Sequence, residues 1–231
     1  MVNDPKYTLM NNPEKFTITI GRQFGSGGRQ IGQAIANALG IQYYDKELLH
    51  EAARHFSMNP ELFEKNDEKA PSFFYGGFLS LNMGYSSYSL YPPTGSSVSD
   101  DAIYRAQSDV IRSISDRHSC VIVGRSADYA LRGRDNVINI FVHAPIEERV
   151  KRIMERGDAA TPEQARQLAE KRDKLRASFY NFYTDKRWGS AASYDLTFDS
   201  SLLRLDDIVA MVKQYVEMRL DVAIPSANIP L

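Results

Sequence analysis

A glycine-rich turn after an apolar run is the part of this sequence best suited to chemistry. Residues 16–20 are apolar and β-branched, and the turn after them contains Gly25, Gly27 and Gly28. An alanine-rich segment with helical spacing follows and ends at Leu39. Glycine lets backbone N–H groups approach a phosphate, and the start of a helix adds unpaired N–H groups and a positive dipole end. The turn therefore predicts a site for a nucleotide phosphate.

Two phosphate-binding patterns fit this turn in part. The P-loop pattern G-x-x-x-x-G-K-[ST] fits the central Gly-Ser-Gly, but Gly28 stands at the lysine position and is followed by Arg29. The dinucleotide pattern G-x-G-x-x-G fits at two glycines but has Gln30 at the third, with Asp45 at the spacing expected for a ribose contact. A turn that binds no ligand is the third interpretation. Later segments must decide among them.

Composition narrows the class of protein. The chain has 231 residues, with 28 basic against 29 acidic side chains and a net charge of -1, so nothing in its overall charge favours nucleic acid or an anionic membrane as a partner. The single cysteine, Cys120, excludes an internal disulfide or a cysteine-based metal cluster, and its apolar neighbours predict a buried strand residue. No apolar run reaches transmembrane length, and the N-terminus lacks the core of a signal peptide. We expect a cytoplasmic protein.

Strand-like and helix-like segments alternate along the chain. Periodicity and turn signals predict strands over 16–20, 41–44, 119–124, 136–143 and 194–199. They predict helices over 33–39, 46–56, 101–117, from 145, over 162–183 and over 205–220. Short apolar strands between helices are typical of a parallel sheet with helices on both faces, which binds ligands at the carboxyl ends of its strands. The fold class is therefore α/β.

Residues 57–100 interrupt this alternation. They are rich in aromatic residues, glycine and proline, with no helical or strand period beyond one short helix that begins near Pro60. A long irregular segment inside a compact domain is typically a functional lid or disordered. Its tyrosines could stack on a base or close over a substrate, or they could pack on the domain surface or on a partner subunit.

Basic residues that follow the glycine turn in the chain favour the P-loop interpretation. Arg125 directly follows the apolar strand that contains Cys120, so it stands at the edge of the sheet where the glycine turn opens and can bind a phosphate through two hydrogen bonds. Arg172 and Arg176 are four residues apart on one face of the charged helix, and Asp173 beside them could accept from a sugar hydroxyl. Phosphoryl transfer needs such cations around the migrating group. Surface ion pairs are the alternative for each residue alone.

The order of these motifs resembles the cytidylate kinase-like family of P-loop nucleoside monophosphate kinases, from about residue 16 to residue 220. The motifs that carry the resemblance are Ile18-Thr-Ile-Gly-Arg-Gln-Phe-Gly-Ser-Gly-Gly-Arg-Gln-Ile-Gly32, Tyr43-Tyr-Asp-Lys-Glu47, Val121-Ile-Val-Gly-Arg125, Lys171-Arg-Asp-Lys-Leu-Arg176 and Tyr194-Asp-Leu-Thr-Phe-Asp-Ser-Ser201. It implies a three-layer P-loop kinase fold, with a parallel sheet flanked by helices. A single domain over 16–220 would carry an acceptor-binding insertion at about 57–100 and a helical lid at about 157–190, with irregular tails at 1–15 and 221–231.

The resemblance also implies an enzyme that transfers the γ-phosphoryl group of Mg-ATP to CMP or a related small acceptor. The donor phosphates would lie on Gly25, Ser26, Gly27 and Gly28, with Arg29 offsetting their charge. The acceptor would contact Asp45, Arg125 and Asp173, while Arg29, Arg172 and Arg176 would serve catalysis. No protein side chain is predicted as a metal ligand. A homodimer is left open.

The sequence departs from the family pattern at three places, one of which is the acceptor region from residue 57 to residue 101. Gly28 and Arg29 stand where the family has lysine followed by glycine or a hydroxyl residue, and Ser126 stands where it has the aspartate of a Gly-Arg-Asp motif. These departures keep two alternatives open. One is a catalytically weak or inactive nucleotide-binding regulatory protein. The other is a dinucleotide-binding oxidoreductase that uses Asp45 on a ribose.

Overall fold

A parallel sheet forms the centre of the computed structural model, which describes residues 15–45 and 100–222. Within that part of the chain the sheet has five strands, β1 (Thr17–Arg22), β2 (Gln42–Tyr44), β3 (Cys120–Val123), β4 (Val137–His143) and β5 (Leu196–Asp199). Their order is β2-β3-β1-β4-β5, and every pairing is parallel. β1 is central, so its carboxyl end lies between those of β3 and β4.

Helices connect the strands and cover the sheet. They are α1 (Gly28–Leu39), α2 (Asp100–Arg117), α3 (Ala127–Ala130), α4 (Ile146–Glu155), α5 (Pro162–Tyr183) and α6 (Leu205–Leu220), with a short 3-10 turn at Ala191–Ser193. Local sequence explains several ends. Gly40 closes α1 in a left-handed conformation with a φ of 64°. The Thr161 hydroxyl accepts from the Gln164 N–H at the start of α5, where Pro162 occupies the first turn.

Two apolar cores lie on opposite faces of the sheet. On one face Ile18, Ile20 and Val121 pack against side chains of α1 and α6, among them Ile35 and Val212. The other face carries a second core of α2, α3 and strand residues, made of Val110, Ile111, Ile114, Ile122 and Leu131 with their neighbours. Alternate strand residues point to opposite faces, so strands buried on both sides need near-continuous apolar sequence. The predicted three-layer α/β arrangement is confirmed.

The predicted elements match the observed ones closely. The largest difference is α1, which begins at Gly28 rather than at residue 33, because the glycine turn itself forms the first helical turn. The short helix α3 and the 3-10 turn were not predicted, since three or four residues carry no period. The predicted helix over 46–56, residues 57–99 of the predicted insertion and most of both predicted tails lie outside the described residues. No helix that the structure describes is long and apolar enough to span a membrane.

Cys120 is expected to resist thiol reagents in the folded protein. Its side chain is fully buried in β3, and burial raises the pKa of the thiol to about 11. Because the thiolate is the reactive form, both effects suppress reaction. Titration with a disulfide reagent should label less than a tenth of the protein in native buffer within an hour and all of it in urea. Rapid labelling of the native protein would contradict the fold at β3.

Candidate active site

The glycine-rich turn covers the carboxyl end of β1 and leads directly into α1. Gly25 and Gly27 adopt left-handed conformations, with φ values of 81° and 80°. A Cβ atom on Gly25 would lie 2.9 Å from the Arg149 carbonyl oxygen, so a side chain has no room there. Ser26 is fully buried, and its hydroxyl donates to the Gln23 carbonyl at 2.9 Å. The N-cap residue of α1 is Gly27, which makes no side-chain cap hydrogen bond, and the uncapped start of a helix is a favourable place for an anion.

A buried ion pair between Arg149 and Asp173 supports the glycine-rich turn. The Phe24 N–H donates to Asp173 Oδ1 at 2.7 Å, and Arg149 Nη1 donates to Asp173 Oδ2 and, at 3.3 Å, to the Phe24 carbonyl. The two charged side chains are only 9% and 15% exposed for Arg149 and Asp173. Burial raises the pKa of Asp173, and the Phe24 N–H and Arg149 oppose that change. Both carboxylate oxygens thus bind the turn and Arg149, and the acceptor contact of Asp173 stays a prediction.

Breaking this ion pair is expected to loosen the turn and destabilise the protein. Replacing Asp173 with alanine leaves Arg149 buried without its partner, so the free energy of unfolding should fall by about 3 kcal/mol. Urea denaturation measures the loss. The matched control is Asp158→Ala, whose pair with Arg156 is 39% and 49% exposed and should contribute almost nothing. Equal effects of the two substitutions would mean that the Asp173 pair does not support the turn.

Ser200 and Arg152 form a second set of hydrogen bonds that supports the glycine-rich turn. The Ser200 hydroxyl donates to the Ser26 carbonyl at 2.6 Å. Arg152 donates to the Ser200 hydroxyl at 2.9 Å and to its carbonyl at 3.1 Å. A Cβ atom on Gly27 would lie 3.7 Å from Arg152 Nη1, so the guanidinium lies beside the turn. Sequence reasoning missed Arg149 and Arg152, because a single arginine on a charged helix carries no signal of its own.

Arg29 and Asp45 form an ion pair with each other. Arg29 Nη2 lies 2.6 Å from Asp45 Oδ2, with the arginine side chain 66% exposed and the carboxylate 8%. The Tyr43 hydroxyl donates to Asp45 Oδ2 and to the Arg29 carbonyl, each at 3.4 Å. Burial, with Asp45 nearby, raises the pKa of Tyr43 to about 12. The sequence assigns Arg29 to the donor and Asp45 to the acceptor, whereas the structure brings them together beside the turn. Both ligand contacts remain predictions.

A cationic cleft opens at the carboxyl ends of β1 and β3, next to the glycine turn. The cleft is open to solvent, and three arginines line it, Arg22, Arg125 and Arg176. An aromatic wall completes the cleft and consists of Phe179, Tyr180, Trp188 and Tyr194. Asp128 is the acidic residue among its lining residues. Several positive charges beside an open helix N-terminus favour an anionic ligand.

The backbone around Arg125 has an unusual conformation. Gly124, Arg125 and Ser126 are successive left-handed residues, with φ values of 84°, 59° and 49°. A left-handed conformation costs a residue with a side chain about 1–2 kcal/mol, and such strain clusters at functional sites. Arg125 is nevertheless 7% exposed and lines the cleft. The structure thus puts Arg125 where the strand end predicted it, next to the glycine turn.

Helix α5, the centre of the predicted lid, lies against the turn. Arg176 Nη1 donates to the Arg22 carbonyl at 3.3 Å, and its guanidinium is 5.6 Å from the centre of the Phe24 ring. Arg172, one turn earlier, is exposed and is absent from the described residues that line the cleft. The structure therefore separates the two arginines that the sequence groups together. Arg176 is in position to act on a bound anion, and the role of Arg172 stays a prediction.

Asp128 provides an acidic group that sequence reasoning missed. The Tyr180 hydroxyl donates to Asp128 Oδ2 at 2.6 Å, and both side chains are buried. Burial raises the pKa of Asp128, and the bond from Tyr180 opposes that change. The sequence has Ser126 at the acidic position of the family pattern. α3 begins directly after Ser126. Asp128, two residues further along the chain, therefore lines the same cleft as Ser126.

The described residues offer no preformed metal site. Within 15–45 and 100–222, no group of three histidine, cysteine, aspartate or glutamate side chains is arranged to hold a metal ion. The Ser26 hydroxyl is bound to the Gln23 carbonyl, and Arg29 pairs with Asp45. Magnesium commonly binds through substrate phosphates and water with few protein ligands.

Comparison with known proteins identifies relatives of the chain. The model of the cytidylate kinase-like family matches residues 17–202. Among solved structures, an uncharacterized protein from Eubacterium ventriosum ATCC 27560 is 26% identical with a TM-score of 0.64, covering 88% of this chain and 99% of its own. A shikimate kinase from Acinetobacter baumannii is 14% identical with a TM-score of 0.47, covering 88% and 94%. A gluconokinase from Sinorhizobium meliloti 1021 is 15% identical with a TM-score of 0.46, covering 91% and 94%. No curated protein matches the chain.

Proposed function

The chain belongs to the cytidylate kinase-like family, and on that premise we propose that it transfers the γ-phosphoryl group of Mg-ATP to a nucleoside monophosphate of the CMP type. The observation that carries the proposal is the cleft with Arg22, Arg125 and Arg176 beside the open N-terminus of α1. Phosphoryl transfer is catalysed mainly by positioning and by offsetting negative charge, and this arrangement supplies both.

The proposed mechanism uses the chain to bind and orient both substrates. The backbone from Gly25 to Gly28 holds the donor phosphates at the positive end of α1. Arg125 anchors the acceptor, and Arg176 on α5 offsets negative charge on the migrating phosphoryl group. α5 keeps water away from the transferred group, because its residues close one side of the cleft. A magnesium ion bound to ATP would offset charge on the phosphates, and no side chain of the chain needs to form a covalent intermediate.

The aromatic wall supports an acceptor that contains a flat ring. Trp188 packs edge-on against Phe141, with ring centres 5.2 Å apart, and Tyr194 lies 4.9 Å from the same ring. Trp188 and Tyr194 both line the cleft that Arg125 enters. A base can stack on such side chains while its phosphate binds the arginine. A nucleoside monophosphate combines these two features.

A second candidate is a kinase whose acceptor is a hydroxyl group, and Asp128 favours it. A hydroxyl must lose a proton during attack, and a buried carboxylate with a raised pKa is a suitable base. A phosphate acceptor is already an anion and needs no base. For the proposed phosphate acceptor, Asp128→Asn should therefore lower kcat less than tenfold. A loss of about 100-fold or more, against an unchanged Asp109→Asn control on the exposed face of α2, would favour a hydroxyl acceptor.

The proposed function is tested by ADP release in a coupled assay. ATP is combined with CMP, UMP, AMP and GMP, and separately with the matching nucleosides, and calorimetry measures ATP binding in parallel. We expect turnover with a pyrimidine monophosphate and none with its nucleoside. ATP binding without ADP release for any acceptor would instead support a regulatory nucleotide-binding protein. Thermal stabilisation by NAD but not by ATP would support the oxidoreductase.

A further inference from the structure

We propose that Arg22 is the cation of the phosphate-binding turn and takes the place of the lysine that position 28 lacks. The inference rests on the proposed function and adds a residue to that site. Arg22 is the last residue of β1, and it lines the cleft together with Gly124, Arg125 and Arg176. The sequence motifs point instead to Arg29, which follows Gly28 directly.

The stem of Arg22 occupies the space that a side chain at position 28 would need. A Cβ atom built on Gly28 would lie 2.6 Å from Arg22 Cβ and 3.0 Å from Arg22 Cγ. Real Cβ atoms do not approach other atoms this closely, and the near end of a stem cannot rotate away. A lysine at position 28 therefore excludes any side chain at position 22, since the closest contact is already with the Arg22 Cβ atom. Gly28 is the glycine that makes room for Arg22.

The guanidinium of Arg22 ends at a second glycine, at the mouth of the cleft. A Cβ atom on Gly124 would overlap Arg22 Nη1 and would lie 2.9 Å from Cζ and 3.1 Å from Nη2. Gly124 directly precedes Arg125 at the end of β3. The Arg22 side chain thus runs from the start of α1 to the Arg125 side of the cleft. Its charge lies between the proposed donor phosphates and the proposed acceptor.

A guanidinium suits this position chemically. It stays protonated at all accessible pH values, and its fork of N–H donors can bind two oxygens of one phosphate. Held between the two substrates, Arg22 can contact the phosphoryl group while it moves. Arg29 is less suited, because its side chain is 66% exposed and is not among the described residues that line the cleft. Arg22 is therefore the better replacement for the missing lysine charge.

The experiment exchanges the two positions. Arg22→Met keeps an unbranched stem without charge, Arg22→Lys keeps the charge, Gly28→Lys restores the family lysine, and Arg22→Gly with Gly28→Lys rebuilds the ordinary turn. Calorimetry measures binding of tripolyphosphate and of adenosine, and the coupled assay measures kcat and KM. Arg29→Met is the comparison. Arg219→Met, exposed in the last turn of α6, is the control for loss of an arginine.

We expect Arg22→Met to weaken tripolyphosphate binding about 10- to 100-fold and to leave adenosine binding unchanged. Arg22→Lys should recover part of the loss, and Arg29→Met should change binding less than threefold. Gly28→Lys alone should lose phosphoryl transfer because the two stems collide, whereas the double variant should have a higher kcat than Gly28→Lys. Unfolding midpoints measured on the same samples separate misfolding from lost binding.

The inference and the proposed function fail in different ways. If wild type binds tripolyphosphate through Arg22 but transfers no phosphoryl group, the function is wrong and the inference holds. If transfer occurs but Arg22→Met binds tripolyphosphate and turns over like wild type, the inference is overturned and the function holds. A double variant no better than Gly28→Lys alone would also overturn the inference. Wild type that binds no tripolyphosphate would overturn the inference, and the ADP-release assay would then decide the proposed function by itself.

Discussion

Arg176→Met is expected to lower kcat about 1,000-fold with the fold intact. Arg176 reaches from α5 to the Arg22 carbonyl and lines the cleft, so it can contact charge that develops on the migrating group. An arginine that stabilises this charge contributes about 10³- to 10⁵-fold to phosphoryl transfer, and Arg22 and Arg125 remain to limit the loss. The KM for ATP should change less than tenfold, because the contact strengthens in the transition state. Initial rates at saturating ATP and acceptor give the measurement.

The control for Arg176 comes from the same helix. Arg166 is 41% exposed and pairs with Glu147 at 3.3 Å, so Arg166→Met removes one arginine of α5 at the surface. It should change kcat less than twofold. The loss of kcat in Arg172→Met should lie between the losses in Arg166→Met and Arg176→Met, since Arg172 is exposed one turn from Arg176. If Arg176→Met keeps kcat within tenfold of wild type, α5 does not supply a catalytic cation.

Gly25→Ala is expected to destabilise the protein by about 3 kcal/mol and to abolish phosphate binding. Gly25 has a φ of 81°, which costs an alanine about 1–2 kcal/mol. The added methyl group would also lie 2.9 Å from the Arg149 carbonyl oxygen and 3.0 Å from Ile153 Cδ1, and such overpacking costs about 1–3 kcal/mol. The turn must shift to relieve the contact, so its N–H groups no longer converge. Urea unfolding and tripolyphosphate calorimetry measure the two effects.

Gly133→Ala separates backbone strain from this contact. Gly133 has nearly the same φ, 80°, but a Cβ atom there would meet nothing within 4 Å. Alanine at position 133 should therefore lower the free energy of unfolding only by the cost of the left-handed backbone, about 1–2 kcal/mol, and should leave phosphate binding unchanged. If the two variants lose equal stability and both bind phosphate, the tight contact between the turn and α4 has no role.

The fold could be predicted because its signals are local. β3 is an unbroken apolar run, β1 and β4 are mostly apolar or β-branched, and caps such as Thr161 and Gly40 mark helix ends within a residue or two. Alternation of these elements then leaves few topologies. The position of Arg125 could be predicted for the same reason. It follows a strand directly, and parallel strands end at one edge of the sheet.

The contacts within the site could not be predicted, because they depend on packing between distant segments. Asp173 reaches the Phe24 N–H across 149 residues of sequence, and Tyr180 reaches Asp128 across 52. Nothing local distinguishes these side chains from solvated ones. Arg22 carried a usable signal, since an arginine at the first position of the P-loop pattern accompanies the glycine at position 28. Residues 22 and 28 occupy one shared space in the structure, which the pattern of either position alone does not reveal.

Phosphorus NMR of a reaction between ATP and a pyrimidine nucleoside monophosphate tests the central claim most directly. The cleft of three arginines is proposed to move a phosphoryl group from ATP to the acceptor phosphate. We expect the ATP signals to convert to those of ADP while new resonances of the acceptor diphosphate grow at the same rate, and we expect Arg176→Met to slow both changes together. Unchanged ATP signals in the presence of saturating acceptor, with calorimetry showing that ATP is bound, would contradict it.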